Sequence, residues 1–374
     1  MNYNPRFDGL RCIAIAAVML YHFVPSVGKP VSAGFYGVNL FFVLSGFLIT
    51  TILLRQEGPF SAKKYFNFLG RRALRIFPIY YLALAIVYFA NTPNIHERII
   101  YLLTYTYNIV MPGVNWENDY TVTFWSLSVE EQFYLFFPLI VFALSSRLKW
   151  LIFACCGFII LSFLQVLANI YGVGGSAHQL FVFNYVSLLT NIAPLSLGAL
   201  AAILTWLNKT PGFLFTSDME FAVLTLAVFA LVFLSFRYQL IVVSFVNTIL
   251  VLKAWSGRFS FRLLDRIVVS KYAGYIGRIS YGIYVYHYMI RSFIDDFFIT
   301  PFLATAGPSQ WGLYAWFLGH PGIIRIISGS LLTMTAAHLS YTYVERPLLS
   351  LKDKFFPYPA GYPRKVAHGN FQRL

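Results

Sequence analysis

Charged residues are scarce in this sequence. Asp, Glu, Lys and Arg make up 11% of its 374 residues and hydrophobic residues 58%, whereas a soluble domain carries about 25% charged residues. This composition excludes a soluble enzyme with one membrane anchor and indicates a polytopic membrane protein. Most of the few charges are basic, which gives a net charge of +14. Because the basic residues cluster between apolar runs, the positive-inside rule explains them better than nucleic-acid binding, and no nucleic-acid partner is expected.

Cysteine is also rare. The three cysteines, Cys12, Cys155 and Cys156, all lie in apolar runs, so the sequence excludes a disulfide framework. The histidines lack the spacing of metal ligands, and the sequence has no nucleotide-binding glycine loop, coiled coil or internal repeat. Neither a metal nor a bound cofactor is therefore expected. No small-residue cleavage site follows the first apolar run, which is predicted to be a retained span rather than a signal peptide.

Apolar runs separated by polar or basic segments predict an all-α fold, a polytopic transmembrane helical bundle with about ten crossings. One further run, 99–110, is too short for a full crossing and is predicted to be re-entrant or interfacial. Basic segments place both termini in the cytoplasm. Residues 1–350 are predicted to form the membrane-embedded domain and 351–374 a basic, disordered cytoplasmic tail. The ten predicted spans are 10–24, 35–54, 76–90, 124–145, 150–170, 181–206, 220–236, 240–255, 272–293 and 322–344.

Asp8, Arg11 and His22 share one face of the first predicted span. On an α-helix, Arg11 and His22 are about three turns apart, with an axial separation of roughly 16 Å, and Asp8 falls within about 40° of the same line. Ionisable groups inside a membrane are costly and mark functional candidates. A neutral imidazole can take a proton from an alcohol near physiological pH, so His22 is a candidate general base. The alternative is a structural histidine that forms a hydrogen bond within the bundle.

Arg72 and Arg75 have the i, i+3 spacing that projects two side chains together, just before the predicted span 76–90. Paired guanidinium groups at a membrane boundary suit phosphate recognition through bidentate hydrogen bonds. The alternative is that these arginines only set the topology and contact anionic lipids.

The stretch 125–134 carries polar groups at the entry of an apolar run. Glu130 and Tyr134 are i, i+4 on one helical face, and Ser126 lies one turn earlier. A carboxylate here could orient His22 and stabilise its protonated form. The alternative is a carboxylate pair at a helix N-terminus on the outer surface, which applies to Glu131 more than to Glu130.

A second polar stripe lies on the predicted span 272–293. Ser280, Tyr284 and His287 repeat at i, i+4 and i+7, and His287 could bind the acceptor or donate a hydrogen bond to it. The alternative for His287 is a helix–helix hydrogen bond. In the second span, Asn39 is the polar member of a stretch rich in small residues.

Taken together in order, these motifs resemble the acyltransferase-3 family of integral-membrane O-acyltransferases, which modify mainly extracytoplasmic glycans. Each motif alone is weak, whereas the set is specific and runs through nearly the whole chain. The matching stretches are Phe-Asp-Gly-Leu-Arg at 7–11 followed by His22, Gly-Val-Asn-Leu-Phe-Phe-Val-Leu-Ser-Gly-Phe-Leu-Ile at 37–49, Arg-x-x-Arg-Ile-Phe-Pro at 72–78, Phe-Trp-Ser-Leu-Ser-Val-Glu-Glu-Gln-Phe-Tyr at 124–134, Ile-Ser-Tyr-Gly-Ile-Tyr-Val-Tyr-His at 279–287 and Tyr-Val-Glu-Arg-Pro at 343–347.

The resemblance implies an O-acetyltransferase activity with acetyl-CoA, or another acyl-CoA, as the donor from the cytoplasmic side. The implied acceptor is a hydroxyl of an extracytoplasmic polysaccharide, sugar or glycolipid, and the implied location is a bacterial inner membrane. His22 matches the essential histidine of the family, and Glu130 matches the glutamate of its Trp-Ser-Leu motif. Arg11, Arg72 and Arg75 match conserved basic positions near the donor. The oligomeric state stays open.

Two rival functions also fit a polar face inside a membrane. A proton-coupled transporter could use Asp8, Arg11, His22 and Glu130 as a relay. Transporters often contain inverted repeats, and this sequence has no detectable repeat. A non-catalytic membrane scaffold would leave the polar faces unexplained.

Overall fold

The chain is predominantly helical in the residues that the structure describes. The computed structural model describes residues 3–56, 60–113, 119–171, 177–212, 236–257, 259, 261–301 and 321–357, and no strand occurs in these ranges, which confirms the all-α fold. The described α-helices are α1 Pro5–Phe23, α2 Pro25–Gly28, α3 Ala33–Leu54, α4 Ala62–Phe89, α5 Ile95–Leu103, α6 Tyr107–Val110, α7 Trp125–Leu144, α8 Leu148–Ile170, α9 Ala177–Val186, α10 Leu188–Trp206, α11 Phe236–Ser256, α12 Arg262–Val268, α13 Lys271–Ile294, α14 Pro321–Ile324, α15 Ser330–Ser340, α16 Arg346–Ser350 and α17 Lys352–Phe355.

Within these ranges, five helices are long and apolar enough to cross a membrane, and each overlaps a predicted span. Helices α1 and α13 overlap two further predicted spans and are not among these five. The predicted span 220–236 lies outside the described residues apart from Phe236, so the count of about ten crossings stays a prediction. The five helices are Ala33–Leu54, Ala62–Phe89, Val122–Leu144, Leu148–Ala168 and Val182–Trp206.

Helix α4 begins well before the apolar run from which its span was predicted. Ser61 caps it by accepting a hydrogen bond from the backbone N–H of Lys64, and the helix then continues through the basic segment. Arg72 and Arg75 therefore lie inside this helix, which begins 14 residues before the predicted membrane span 76–90. The physical reason is that lysine and arginine are good helix formers, so a basic segment extends a helix even though it is not apolar.

The segment predicted not to cross is divided into two short helices, α5 and α6. The chain turns between them at Tyr105, whose φ of 53° lies in the left-handed region. The Tyr80 hydroxyl donates to the carbonyl of Leu102 at 2.8 Å and ties the end of α5 to α4. Neither helix is long enough to cross a bilayer, and the re-entrant or interfacial placement of the segment stays a prediction.

Small residues bring the central helices together. Helix α3 packs against α1, α7, α10 and α11. A Cβ added at Gly46 would overlap the carbonyl of Leu195, and one added at Gly277 would overlap the carbonyl of Asp8. Close packing of this kind is typical of membrane helices, where small residues let two backbones approach. It places α13 directly against the polar end of α1.

The beginning of the predicted tail packs on the bundle. Helix α17 lies against α4, where Arg71 and Asp353 form an ion pair at 2.8 Å and Arg71 donates to the carbonyl of Phe356 at 2.7 Å. A Cβ at Gly70 would overlap the Phe356 ring. Ionic and ring contacts therefore hold residues 352–357 against α4, and the disorder of the tail stays a prediction. Residues 358–374 lie outside the described residues.

Candidate functional site

Three cavities follow one another through the bundle and share lining residues. We name them the basic cavity, lined by Arg71, Arg72, Arg75 and Lys352; the central cavity, lined by Arg11, Ser45, Glu130 and Tyr134; and the histidine cavity, lined by His22, Tyr288 and Arg291. Their volumes are about 180, 90 and 410 Å³.

The shared residues show how the cavities adjoin. Arg72 and Arg75 line both the basic and the central cavity, and Val38 and Tyr284 line both the central and the histidine cavity. The predicted donor-binding arginines thus lie at one junction and a predicted supporting tyrosine at the other. The narrow central cavity separates the guanidinium groups from the imidazole.

His22 lies near the end of α1 and contacts a second histidine. Its Nδ1 is 3.1 Å from the carbonyl oxygen of Val18 and 3.1 Å from Nε2 of His287. Nδ1 of His287 is 2.6 Å from the carbonyl oxygen of Tyr284. His287 is fully buried. The sequence predicted both histidines separately, and the structure brings them together.

The hydrogen-bond network assigns the tautomers of this pair. A carbonyl oxygen only accepts, so His287 carries its proton on Nδ1, and in the neutral ring its Nε2 is an acceptor. Nδ1 of His22 must then be the donor to Val18 and His287. This leaves Nε2 of His22 with the lone pair, which is the state that a general base requires.

Aromatic rings hold the imidazole of His22 in place. The Tyr21 and Tyr288 rings lie edge-on to it, with centroid distances of 5.0 and 5.1 Å. The Arg291 guanidinium lies over the Tyr288 ring, 5.2 Å from its centroid. A ring packed on several sides keeps one orientation, so the basic nitrogen has a fixed position.

The hydrogen bond of Glu130 is made with a residue other than His22. Its Oε1 accepts from the Ser45 hydroxyl at 2.7 Å, and Ser45 in turn accepts from the Tyr134 hydroxyl at 3.1 Å. No hydrogen bond joins Glu130 to His22 in the described part of the chain, and the two side chains line different cavities. The expectation that Glu130 orients the imidazole is therefore not supported, because His287 on α13 occupies that place.

Two of the three predicted donor-binding arginines, Arg11 and Arg72, are held by neighbouring side chains. Nη1 of Arg11 forms an ion pair with Asp8 at 2.6 Å, and the Tyr3 hydroxyl donates to the other oxygen of the same carboxylate at 2.6 Å. The Arg72 guanidinium lies 5.3 Å from the Tyr134 ring centroid. These contacts orient the cations that line the central cavity.

Tyr284 marks the junction between the central and histidine cavities. Its hydroxyl is 2.5 Å from the Ser126 hydroxyl and donates to the carbonyl of Thr123 at 3.1 Å. Ser280 lines the central cavity and donates to the carbonyl of Gly277 at 2.9 Å. The polar stripe predicted on 272–293 therefore faces the site.

Asn39, predicted as a supporting residue, links two helices. It donates to Ser244 at 2.8 Å and accepts from Asn247 at 2.9 Å, which joins α3 to α11. Buried amides of this kind hold membrane helices together. Among the residues that the structure describes, no group of three or more histidine, cysteine or acidic side chains is arranged to hold a metal ion.

Several residues of the site were missed by sequence reasoning, among them Ser45, Lys29, Tyr288 and Arg291. Only Ser45 offered a signal, since it is a hydroxyl in an apolar span. The other three become recognisable when the helices are packed.

Comparison with known proteins gives a consistent result. A family model described as an acyltransferase domain matches residues 4–341. The O-acetyltransferase OatA of Staphylococcus aureus is 27% identical over 402 residues, covering 99% of this chain and 60% of that protein. A predicted acetyltransferase of Acidianus two-tailed virus is 30% identical over 304 residues, covering 78% of this chain and 85% of that protein.

The relatives differ from this chain in length. A predicted O-acetyltransferase of Staphylococcus aureus strain MSSA476 is 27% identical over 379 residues, which cover 93% of this chain and 57% of that protein. The chain thus spans little more than half the length of these staphylococcal relatives. No solved structure matches it.

Proposed function

Because the chain belongs to the acyltransferase-3 family, we propose that it moves an acyl group, usually acetyl, from an acyl-CoA on the cytoplasmic side to a hydroxyl of an extracytoplasmic sugar, polysaccharide or glycolipid. The observation that carries this proposal is a series of three cavities that share lining residues, with a cluster of arginines at one end and an oriented histidine at the other. The rival transporter is not favoured, since the family and its named relatives are acyltransferases.

The donor would bind with its phosphates at the basic cavity. Arg72 and Arg75 present guanidinium groups to this cavity and to the next one, and guanidinium recognises phosphate through paired hydrogen bonds. The narrow central cavity suits the thin arm that links the nucleotide of CoA to its thioester. Arg11, held by Asp8, would place this arm. The thioester would then arrive beside His22.

His22 would act on the acceptor hydroxyl. Nε2 takes the proton of the hydroxyl, the oxygen attacks the thioester carbonyl, and the C–S bond breaks to release the CoA thiolate, which recovers the proton from the imidazolium. His287 accepts the Nδ1 hydrogen bond of His22 and keeps this tautomer. A covalent relay, with the acyl group first on His22, uses the same geometry.

The proposed topology follows from the basic segments. Both termini and the basic cavity would lie on the cytoplasmic side of a bacterial inner membrane, with about ten crossings and His22 toward the opposite side. Glu130 would support the central cavity through Ser45 and Tyr134. A charged CoA nucleotide does not cross a bilayer, so the donor and the acceptor stay on opposite sides of the membrane. Cavities that reach the site from both sides would let the two substrates meet.

Acetyl consumption by membrane vesicles tests the proposed function. Vesicles with the cytoplasmic face outward are supplied with labelled acetyl-CoA, and the wild type is compared with His22→Ala. We expect the wild type to consume the donor at the outward cytoplasmic face and the variant to lose this activity by 10²-fold or more, the range of general base catalysis. Equal consumption by both proteins, or a folded wild type that leaves acetyl-CoA intact, would contradict the proposal.

A further inference from the structure

The histidine cavity carries positive charge close to the imidazole. Lys29 follows α2 and Arg291 lies near the end of α13, and both line this cavity together with His22. None of its described lining residues is Asp or Glu. A cleft lined by charge of one sign attracts ligands of the opposite sign.

Arg291 keeps hydrogen-bonding capacity for a ligand. Its Nε is 3.6 Å from a carboxylate oxygen of Asp295, a long distance, because the other oxygen of that carboxylate binds Arg325 at 2.5 Å. Nε of Arg291 makes no hydrogen bond within the ranges that the structure describes, although it is buried. A guanidinium has five N–H donors, so this side chain can bind an oxyanion while it stays beside Asp295.

Arg291 is also held at a fixed distance from the reacting nitrogen. The guanidinium lies over the Tyr288 ring, and the edge of that ring packs against His22. One aromatic ring thus separates the cation from the imidazole. An anion bound by Arg291 would therefore lie within the span of a sugar unit from Nε2 of His22.

Aromatic side chains form much of the remaining wall of the histidine cavity. Trp125 and Tyr185 pack at a centroid distance of 4.8 Å, and Phe35 lies beside Tyr185 at 6.3 Å. Ring faces of this kind suit the C–H face of a sugar, while a few polar groups fix its orientation. The cavity therefore combines a surface for a sugar ring with a cation pair for an acid.

We propose that the acceptor is an anionic glycan or glycolipid, whose carboxylate or phosphate binds Arg291 and Lys29 while a ring hydroxyl of the same or the adjoining sugar lies at His22. This inference rests on the proposed function, which leaves the class of acceptor open. Paired N–H donors of arginine recognise both kinds of oxyanion.

Three methyl glycosides that share the same free hydroxyls at positions 2, 3 and 4 test this inference: methyl glucoside, methyl glucuronide and methyl glucoside 6-phosphate. Acetyl transfer to each is measured with labelled acetyl-CoA and purified protein in nanodiscs. We expect kcat/KM for at least one anionic acceptor to exceed that for the glucoside by about tenfold or more, the effect of one charge-assisted hydrogen bond. Preference for the glucuronide alone indicates a carboxylate, and preference for the phosphate alone indicates a phosphate.

Charge variants supply the second arm of the test. Arg291→Gln combined with Lys29→Gln should abolish the preference for the anionic acceptor, whereas the matched control Lys209→Gln, an exposed lysine outside the three cavities, should keep it. Equal transfer to all three glycosides, transfer to none of them, or a preference that survives the double substitution would overturn the inference. Donor consumption in the same samples reports separately on the proposed function, which fails only if acetyl-CoA is neither bound nor consumed.

Discussion

At the scale of single residues, the hydrogen bonds around His22 decide which of its nitrogens is basic. The carbonyl of Tyr284 fixes the proton of His287 on Nδ1, and His287 then fixes that of His22. His287 would in this way affect the rate of acyl transfer without contacting the donor.

This chain of hydrogen bonds predicts the effect of removing His287. We expect His287→Ala to lower kcat by about 10- to 100-fold, because His22 loses the partner that fixes its tautomer, while the KM for acetyl-CoA stays unchanged. Steady-state kinetics over a range of pH checks the prediction, since a change in tautomer control also shifts the pH profile. The control is His338→Ala, which removes an exposed histidine from α15. A loss of kcat as large in the control would contradict the assignment.

The residue scale is also where the sequence predicted least. His22, His287, Arg11, Arg72 and Arg75 were recognisable, because polar side chains at helical spacing are unusual in apolar spans. The partner of His22 was not. The rotation and crossing angle of two helices determine which residue of one faces the imidazole on the other. The spacing of residues along a single helix gives no information about that rotation or angle.

At the scale of elements, the site depends on how closely α13 approaches α1. Gly277 leaves room for the backbone carbonyl of Asp8, and Asp8 holds Arg11. We expect Gly277→Ala to lower the stability by about 1–3 kcal/mol, because its methyl group forces the helices apart. Thermal unfolding in detergent checks this prediction.

A matched glycine separates this effect from helix propensity. A Cβ at Gly157 in α8 has no heavy atom within 4 Å, so Gly157→Ala should leave the unfolding temperature unchanged or raise it slightly. If both variants unfold at the temperature of the wild type, the close contact of α13 with α1 is not a determinant of stability.

The elements themselves were largely predictable from the sequence. Helices α1, α3, α7, α8, α10 and α13 follow apolar runs, as expected from hydropathy. The start of α4 and the short helix α17 were not predicted, because hydropathy detects apolar helices that suit lipid and misses helices rich in polar or charged residues. The packing of residues 352–357 depends on contacts with α4, which is far from them in the sequence.

At the scale of the whole molecule, the account separates two tasks. In the proposed function, the arginines around the basic and central cavities would bind the donor, and the histidine pair beyond the Tyr284 junction would carry out the transfer. Changing the residues of one task should therefore impair that task and leave the other intact.

The most direct test measures donor binding and turnover on the same three proteins. Wild type, His22→Ala and the double variant Arg72→Ala with Arg75→Ala are placed in nanodiscs, and the Kd for acetyl-CoA and the rate of acetyl transfer are measured for each. The account predicts that His22→Ala binds acetyl-CoA with the Kd of the wild type but transfers no acetyl group, and that the arginine variant raises the Kd by about tenfold or more. An arginine variant that binds acetyl-CoA as tightly as the wild type, or a His22→Ala protein that still transfers acetyl groups at the full rate, would contradict it.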